Sequence, residues 1–406
     1  MRTWASSLAL VMVGTSVACS SSYDFAVWSL PVAPATRLIG FPDASEAERS
    51  LHEIELVEEL VIGSGSDSSA LFGRVPPRVV PAPDGRVAVL DAGNHRVLVF
   101  GPGGGHQTTF GRRGQGPGEF GQPAEMFLGD DGLLRVWDIP GRRLSRWTLE
   151  GERIDTMVLP RWGGLIAPVG NGALVWRESR RTPDGQDTLF LRVAGDGTSL
   201  VQYAVIPWPQ RTIDPPLGEI TNTEPDAWWV GTVPPAFARD ADGSVYLSPF
   251  VDYEVFAYAA DGTMRWALQV GHARPPIARV EIDLRMAQHR RRFPSRAESQ
   301  VDWPARQYAL ADIKVDGHGH LYVFPYVPKG TPSTAPRPVD VYSKDGERLF
   351  AGTISGRIFT TSSATYNGPM YEVAWQAAVG DMIYGLAENA ATGDYEVVRA
   401  RMTEPF

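Results

Sequence analysis

Three sets of residues in this chain have types and spacings suited to chemistry. His318 and His320 flank Gly319 at a spacing used by metal ligands, but two imidazoles alone make an incomplete site. Asp91 and Arg96 stand five residues apart, as do Asp138 and Arg143. Recurrence at one offset points to an ion pair closing a hairpin, not to a reactive pair. Trp208, Trp228 and Trp229 lie among prolines, and Arg290-Arg291-Arg292 follow an amphipathic stretch. Together they could form an aromatic and cationic rim for an anionic or glycan-like ligand. Equally, the tryptophans could cap a core and the arginines complement a helix dipole. The chain has no Gly-x-Ser-x-Gly elbow, no His-Glu-x-x-His and no Walker loop, so no residue is assigned as catalytic and none as a metal ligand. Gly114–Gly118 is glycine-rich but opens onto Glu119-Phe120-Gly121 instead of a helix, which makes it a connector and not a phosphate cradle.

The elements that position these residues are organised around the stretch from Val79 to Pro123. It reads as four short strands: Val79–Ala82, Arg86–Asp91, Arg96–Gly101 and Gln107–Gly111. Apolar residues alternate at Val87 and Val89, then at Val97 and Val99, with Asp84-Gly85 and Gly103–Gly105 as punctuation. Period-two alternation broken by such pairs is the signature of antiparallel hairpins. A unit this small cannot bury both faces alone, so it should repeat.

The stretch resembles an NHL repeat, one blade of an NHL-type β-propeller. The resemblance rests on Pro83-Asp84-Gly85, Val89-Leu90-Asp91, Gly93-Asn94-His95-Arg96-Val97, Val99-Phe100, Phe110-Gly111, Gly114–Phe120 and Pro123. It implies an all-β propeller of four-stranded antiparallel blades and says little about function, because propellers host ligases, lyases, receptors and scaffolds. Six-bladed relatives such as streptogramin lyase, gluconolactonase and the lyase of peptide α-amidation work at a central channel with a metal ion. The enzyme alternative is therefore a channel-mouth, metal-dependent lyase or lactonase-like hydrolase, with Ca2+ on an acid-lined site. Otherwise no cofactor is expected.

Degenerate blades follow at 125–159, 164–207, 236–271 and 309–354, and a sixth starts near Val373. The sixth runs out of chain after three strands, while the strand-like Glu53–Gly63 stands unassigned before the first. Its charges also permit a helical turn. A ring must hide its edges, so Glu53–Gly63 is expected to complete the last blade and close a six-bladed propeller over 51–406. This parse separates two faces. Tight turns such as Asp131-Gly132, Asn171-Gly172, Asp196-Gly197, Asp242-Gly243, Asp261-Gly262 and Asp345-Gly346 gather at one end. The long segments 64–78, 112–124, 208–233, 272–308, 325–338 and 355–371 gather at the other, where function usually resides. Within 272–308, Ile277, Val280, Leu284 and Ala287 line one helical face.

Residues 1–19 read as an address: Arg2, an apolar run over Ala5–Val17 too short to span a bilayer, then Ala18-Cys19. This resembles a bacterial lipoprotein signal, which implies acylation at Cys19, the only cysteine in the chain. The alternative is secretory cleavage near Ala18. Residues 20–50 mix Ser, Pro and Ala and are expected to be a flexible tether. A net charge of −9 excludes a sequence-independent nucleic-acid binder. The expectation is a monomeric, lipid-anchored protein of the bacterial cell envelope, touching the membrane through its anchor alone. Its long-loop face would bind a protein or a glycan.

Overall fold

The computed structural model describes residues 37–403 apart from 64–71, 160–163, 169–172, 210–235, most of 275–308, 359–373 and a few turn positions. The chain is a six-bladed β-propeller. An N-terminal arm comes first, made of β1 (Arg37–Pro42), α1 (Glu46–Arg49) and β2 (Glu53–Ile62). Blade one is β3 (Arg78–Pro81), β4 (Val87–Asp91), β5 (Arg96–Phe100) and β6 (His106–Phe110). Blade two is β7 (Pro123–Leu128), β8 (Leu134–Asp138), β9 (Arg143–Trp147) and β10 (Arg153–Val158). Blade three is β11 (Gly164–Pro168), β12 (Leu174–Thr182), β13 (Gly185–Val193) and β14 (Ser199–Pro209). Blade four is β15 (Ala236–Arg239), β16 (Val245–Ser248), β17 (Glu254–Tyr258) and β18 (Met264–Gly271). Blade five is β19 (Leu310–Val315), β20 (Leu321–Pro325), β21 (Arg337–Tyr342) and β22 (Arg348–Ser355). Blade six is β23 (Trp375–Val379), β24 (Met382–Glu388), β25 (Tyr395–Met402) and, outermost, β2.

Each blade presses both faces on its neighbours, so its middle strands are apolar throughout. Every residue of β4, β17 and β20 is buried, whereas β10 on an outer edge is mostly exposed. The core is correspondingly divided into six hydrophobic clusters, one at each blade interface. First strands β3, β7, β11, β15, β19 and β23 lie innermost.

Ring closure follows the strand count. Residues Leu56–Ile62 of β2 pair antiparallel with β25, and its alternating Ile54, Leu56 and Ile62 are buried while Glu53 and Glu55 face out. Glu58 and Glu59, the charges that would also suit a helical turn, instead bind Arg357 and Arg401 along the outer face at 3.0 and 2.7 Å. Glu53–Glu55 also pair parallel with β22, so one strand sews blade five to blade six.

Part of the stretch 20–50, expected from its composition to be a tether, is folded. Residues 37–42 form β1, a fifth strand lying parallel to β18 of blade four, with Ile39 and Phe41 packed against the interface of blades four and five. Ser45 and Glu48 make a reciprocal capping box that starts α1. The described part of 20–50 is therefore folded from Arg37 onward, held by backbone pairing and an inward apolar face that a composition reading passes over.

Nine turns among the described residues, from Ala82–Gly85 to Ser343–Gly346, close in one way. The glycine N–H donates to the carbonyl three residues back, and the glycine φ lies between 74° and 89°. Any side chain there would be strained, which is why glycine recurs at this one end of the ring.

Candidate functional site

The long-loop end is built on the two repeated acid–arginine pairs. Asp91 closes β4 and Arg96 opens β5; Asp138 closes β8 and Arg143 opens β9. Both carboxylates are buried, and the ion-pair distances are 3.0 Å for Arg96–Asp91 and 2.5 Å for Arg143–Asp138. Each also gathers backbone N–H groups from the connector that leads into its own blade. Asp91 Oδ1 accepts from Gly73 N at 3.0 Å, while Asp138 accepts from Gly121 N at 3.1 Å and Gln122 N at 2.6 Å. The pairs thus fasten incoming connectors as well as closing hairpins. A buried carboxylate whose oxygens are taken up by donors of its own fold is spent on structure.

Arg143 carries the scheme further. Its Nη1 donates to Gln115 O at 2.5 Å and its Nη2 to Glu119 O at 3.2 Å, which holds the 112–122 connector against blade two. Within the connector, Glu119 accepts from Gly116 N at 2.9 Å and from Arg112 Nε at 2.9 Å. The Gly116 hydrogen bond, followed by Arg112, keeps the Glu119 carboxyl below the usual range. Gly114 N donates to Phe120 O and Phe120 N to Arg112 O, so these amides are turned inward. Phosphate cradles need outward N–H groups, and this loop is a connector as its sequence suggests.

Beneath the connector lies a cavity of about 210 Å³, lined among others by Gln115, Glu119, Arg143, Trp147, Arg153 and Thr156. Trp147 stacks on Phe110 at 4.7 Å and donates Nε1–H to Ser145 Oγ at 2.8 Å, so the cavity wall is rigid. Its polar groups are already matched: Arg143 to Asp138, Glu119 to Arg112, Arg153 to Thr156. Such a lining can hold a small polar group by shape and hydrogen bonding.

The inner strands are tied around the axis. Arg78 Nε meets Glu125 Oε2 at 3.2 Å between blades one and two. Gln376 of blade six accepts from Val79 N at 2.8 Å and donates to Pro77 O at 2.9 Å. In β19 burial pushes the Asp312 carboxyl up, with Lys314 Nζ 2.7 Å away working against it.

His318 and His320 do not converge. His318 Nε2 lies 2.7 Å from Asp381 in blade six, a hydrogen bond that raises its pKa, while His320 Nδ1 lies 2.9 Å from Asp316. Each imidazole is committed to a different carboxylate at the tight-turn end. Among the described residues no group of three or more His, Cys, Asp or Glu is placed to hold a metal ion. Trp208 falls in β14 opposite Gln186. Cys19, Trp228, Trp229, Arg290, Arg291 and Arg292 lie outside the described residues, as does the Asn171-Gly172 turn. Arg279, Asp283 and Ala287 are helical and exposed, and Arg279 pairs with Asp283 at 3.0 Å.

One charged cluster escaped sequence reasoning. Asp340 in β21 is fully buried and receives Arg49 Nη1 from α1 at 2.7 Å and the Tyr253 hydroxyl at 2.5 Å. Burial pushes the Tyr253 phenol well above its ordinary pKa, so it donates and stays neutral. The available signal was Ser45-x-x-Glu48, a helix start immediately before Arg49.

Residues 70–203 match the model of the DUF5128 family, described as a 6-bladed beta-propeller. Two solved structures are similar over nearly the whole chain. An exported protein from Bacteroides fragilis is 11% identical, with 90% of this chain and 100% of that chain covered and a TM-score of 0.50. A DUF4221 member from Bacteroides vulgatus is 11% identical, with 87% and 98% covered and a TM-score of 0.51. Virginiamycin B lyase from Staphylococcus aureus is 10% identical over 86% and 99%, at a TM-score of 0.42. No curated protein matches the chain in sequence. At these identities the likeness to solved structures shows the propeller fold alone.

Proposed function

We propose that this six-bladed propeller is an exported, lipid-anchored, monomeric binding protein of the bacterial envelope. It holds a protein or glycan on its long-loop face. The observation that carries this reading is the contrast between the two ends of the ring. One end is closed by short glycine turns that present few side chains. The other carries the connectors, and where these are described they are pinned by Arg143, Asp138 and Asp91 over a rigid cavity. Pinned loops on a rigid scaffold bind without a large ordering cost. The anchor rests on Cys19 at the end of an apolar leader. Neither a cofactor nor nucleic acid enters the reading.

The test is a glycan array and an envelope-extract pull-down, followed by two sets of substitutions against whatever ligand is recovered. Trp228→Ala and Trp229→Ala alter the segment expected to bind, and Gln115→Ala the described connector of the long-loop side; Arg86→Ala and Glu347→Ala alter the tight-turn side. A central tryptophan should cost about 2 kcal/mol, roughly thirtyfold in affinity, on truncation. Loss confined to the second set, with folding intact, would discard the reading. In the same strain Cys19→Ala should abolish acyl labelling and release the protein from the membrane.

A further inference from the structure

The arm fixes where the tether leaves the ring. β1 begins at Arg37, opposite Trp266, and runs parallel to β18. The strand β18 itself starts just after the Ala259–Gly262 turn, at the tight-turn end. Direct contacts agree with this direction. Arg37 Nη1 donates to Asp345 O at 3.2 Å, in the tight turn of blade five. Ile39 lies against Gly346 of that turn. Pro42, at the other end of β1, is paired with Gly271, where β18 ends. From there α1 and the Arg49–Asp340 pair carry the arm over blade five to β2. The arm is therefore bound to three blades before the ring begins, and its N-terminal end cannot swing to the opposite face.

We infer that the tight-turn face is the surface held against the lipid bilayer, and that the long-loop face is presented away from it. This rests on the proposed acylation of Cys19. The occupant of the tight-turn face is the chain's own anchoring membrane, and the argument is the length of the tether and the point where it ends. Seventeen residues, 20–36, separate Cys19 from Arg37. A flexible chain of that length has a root-mean-square span of about 23 Å, against a contour of about 58 Å. A strand of five residues rises about 17 Å, so bringing the long-loop face to the bilayer would stretch the tether around the rim by roughly that much. For a Gaussian chain of this span an extension of about 17 Å disfavours the inverted pose by about twofold. The tight turns suit apposition, since their Asp carboxylates are engaged by backbone N–H groups two residues on, as at Asp84, Asp196 and Asp261. A partner of the long-loop face is accordingly a molecule that stands off the membrane carrying this protein.

The experiment uses the full acylated chain on phosphatidylethanolamine–phosphatidylglycerol vesicles with a headgroup-linked acceptor dye. Because Cys19 is consumed by acylation, one added cysteine carries the donor dye: Gly103→Cys and Glu347→Cys on the tight-turn end, Gln115→Cys on the connector. A Cβ at Gly103 meets open space, so that variant should fold. Energy transfer from Gly103→Cys and Glu347→Cys is expected to exceed that from Gln115→Cys by at least twofold. Inserting a flexible segment that triples the tether should shrink the difference. Equal transfer from both ends, or stronger transfer from Gln115→Cys, with the protein still pelleting with vesicles, overturns the orientation while leaving the anchor intact. Failure of the acylated chain to pellet overturns the anchor, and the orientation with it.

Discussion

Replacing Arg49 with methionine should lower the stability of the whole ring by about 2–4 kcal/mol, although the residue lies in a four-residue helix at the chain's start. Asp340 is fully buried, and Arg49 is its only cationic partner among the described residues, at 2.7 Å. Breaking a buried ion pair by removing one member costs about 3–5 kcal/mol, because the other charge is left without compensation. Methionine keeps the apolar stem, so packing loss is small. The Tyr253 hydroxyl stays 2.5 Å from Asp340 Oδ2 and retains one charge-assisted hydrogen bond, which lowers the expected loss by about 1 kcal/mol, to about 2–4 kcal/mol. Urea unfolding of the Cys19→Ala chain, followed by tryptophan fluorescence, would read the loss as a shift in midpoint at unchanged slope. The second arm of the test is Arg49→Met combined with Asp340→Asn. With no charge to bury, the double variant should recover at least half of the lost stability. A shift of less than about 0.5 kcal/mol for Arg49→Met would show that the arm is peripheral. A double variant as unstable as Arg49→Met alone would show that the charge argument is wrong.

Two further outcomes are expected. Deleting residues 20–36 should leave the thermal midpoint unchanged, whereas deleting 20–62 removes the buried Ile54, Leu56 and Ile62 of β2. At about 1.5–3 kcal/mol per buried side chain the second loss rivals the net stability of a typical protein, so equal stability of the two truncations would refute the closure. Acid should also act in one direction. The carboxyls of Asp84, Asp196 and Asp261 are held below their ordinary pKa mainly by backbone hydrogen bonds from Arg86, Thr198 and Thr263. A depressed folded pKa gives stability that is complete above the unfolded value of about 3.9 and lost as pH falls through the folded one. Thermal midpoints measured against pH should therefore begin to fall only below about pH 4 on account of these turns, and Asp196→Asn should weaken that fall. A fall already complete by pH 5 would assign acid sensitivity elsewhere.

The blades were legible because their physics is local. A strand buried on both faces must be apolar along its length, as in Val87–Leu90, and a turn that needs a left-handed residue must carry glycine, as at Gly85 and Gly346. Those demands fall on adjacent residues and leave a visible period. The pairs Asp91–Arg96 and Asp138–Arg143 were legible for a different reason, since repetition at fixed offset marks them, but their second task was not. Nothing local to Asp138 announces that Gly121 and Gln122, more than a dozen residues back, will donate to it.

The first part of the arm, β1 and α1, was illegible for a physical reason. Strand β1 adds to an edge that blade four already offers, so it needs only backbone groups and two inward side chains, Ile39 and Phe41. Gly40 and Pro42 cost little at an outermost strand, whereas in a central one each would count against the assignment. Arg49 likewise looks like an ordinary surface cation until Asp340, almost three hundred residues on, is brought beside it. Edge addition followed by a long-range ion pair is weakly encoded per residue yet strongly fixed in space. On the proposed acylation of Cys19, the direction of β1 is what sets which face of the ring is turned from the membrane.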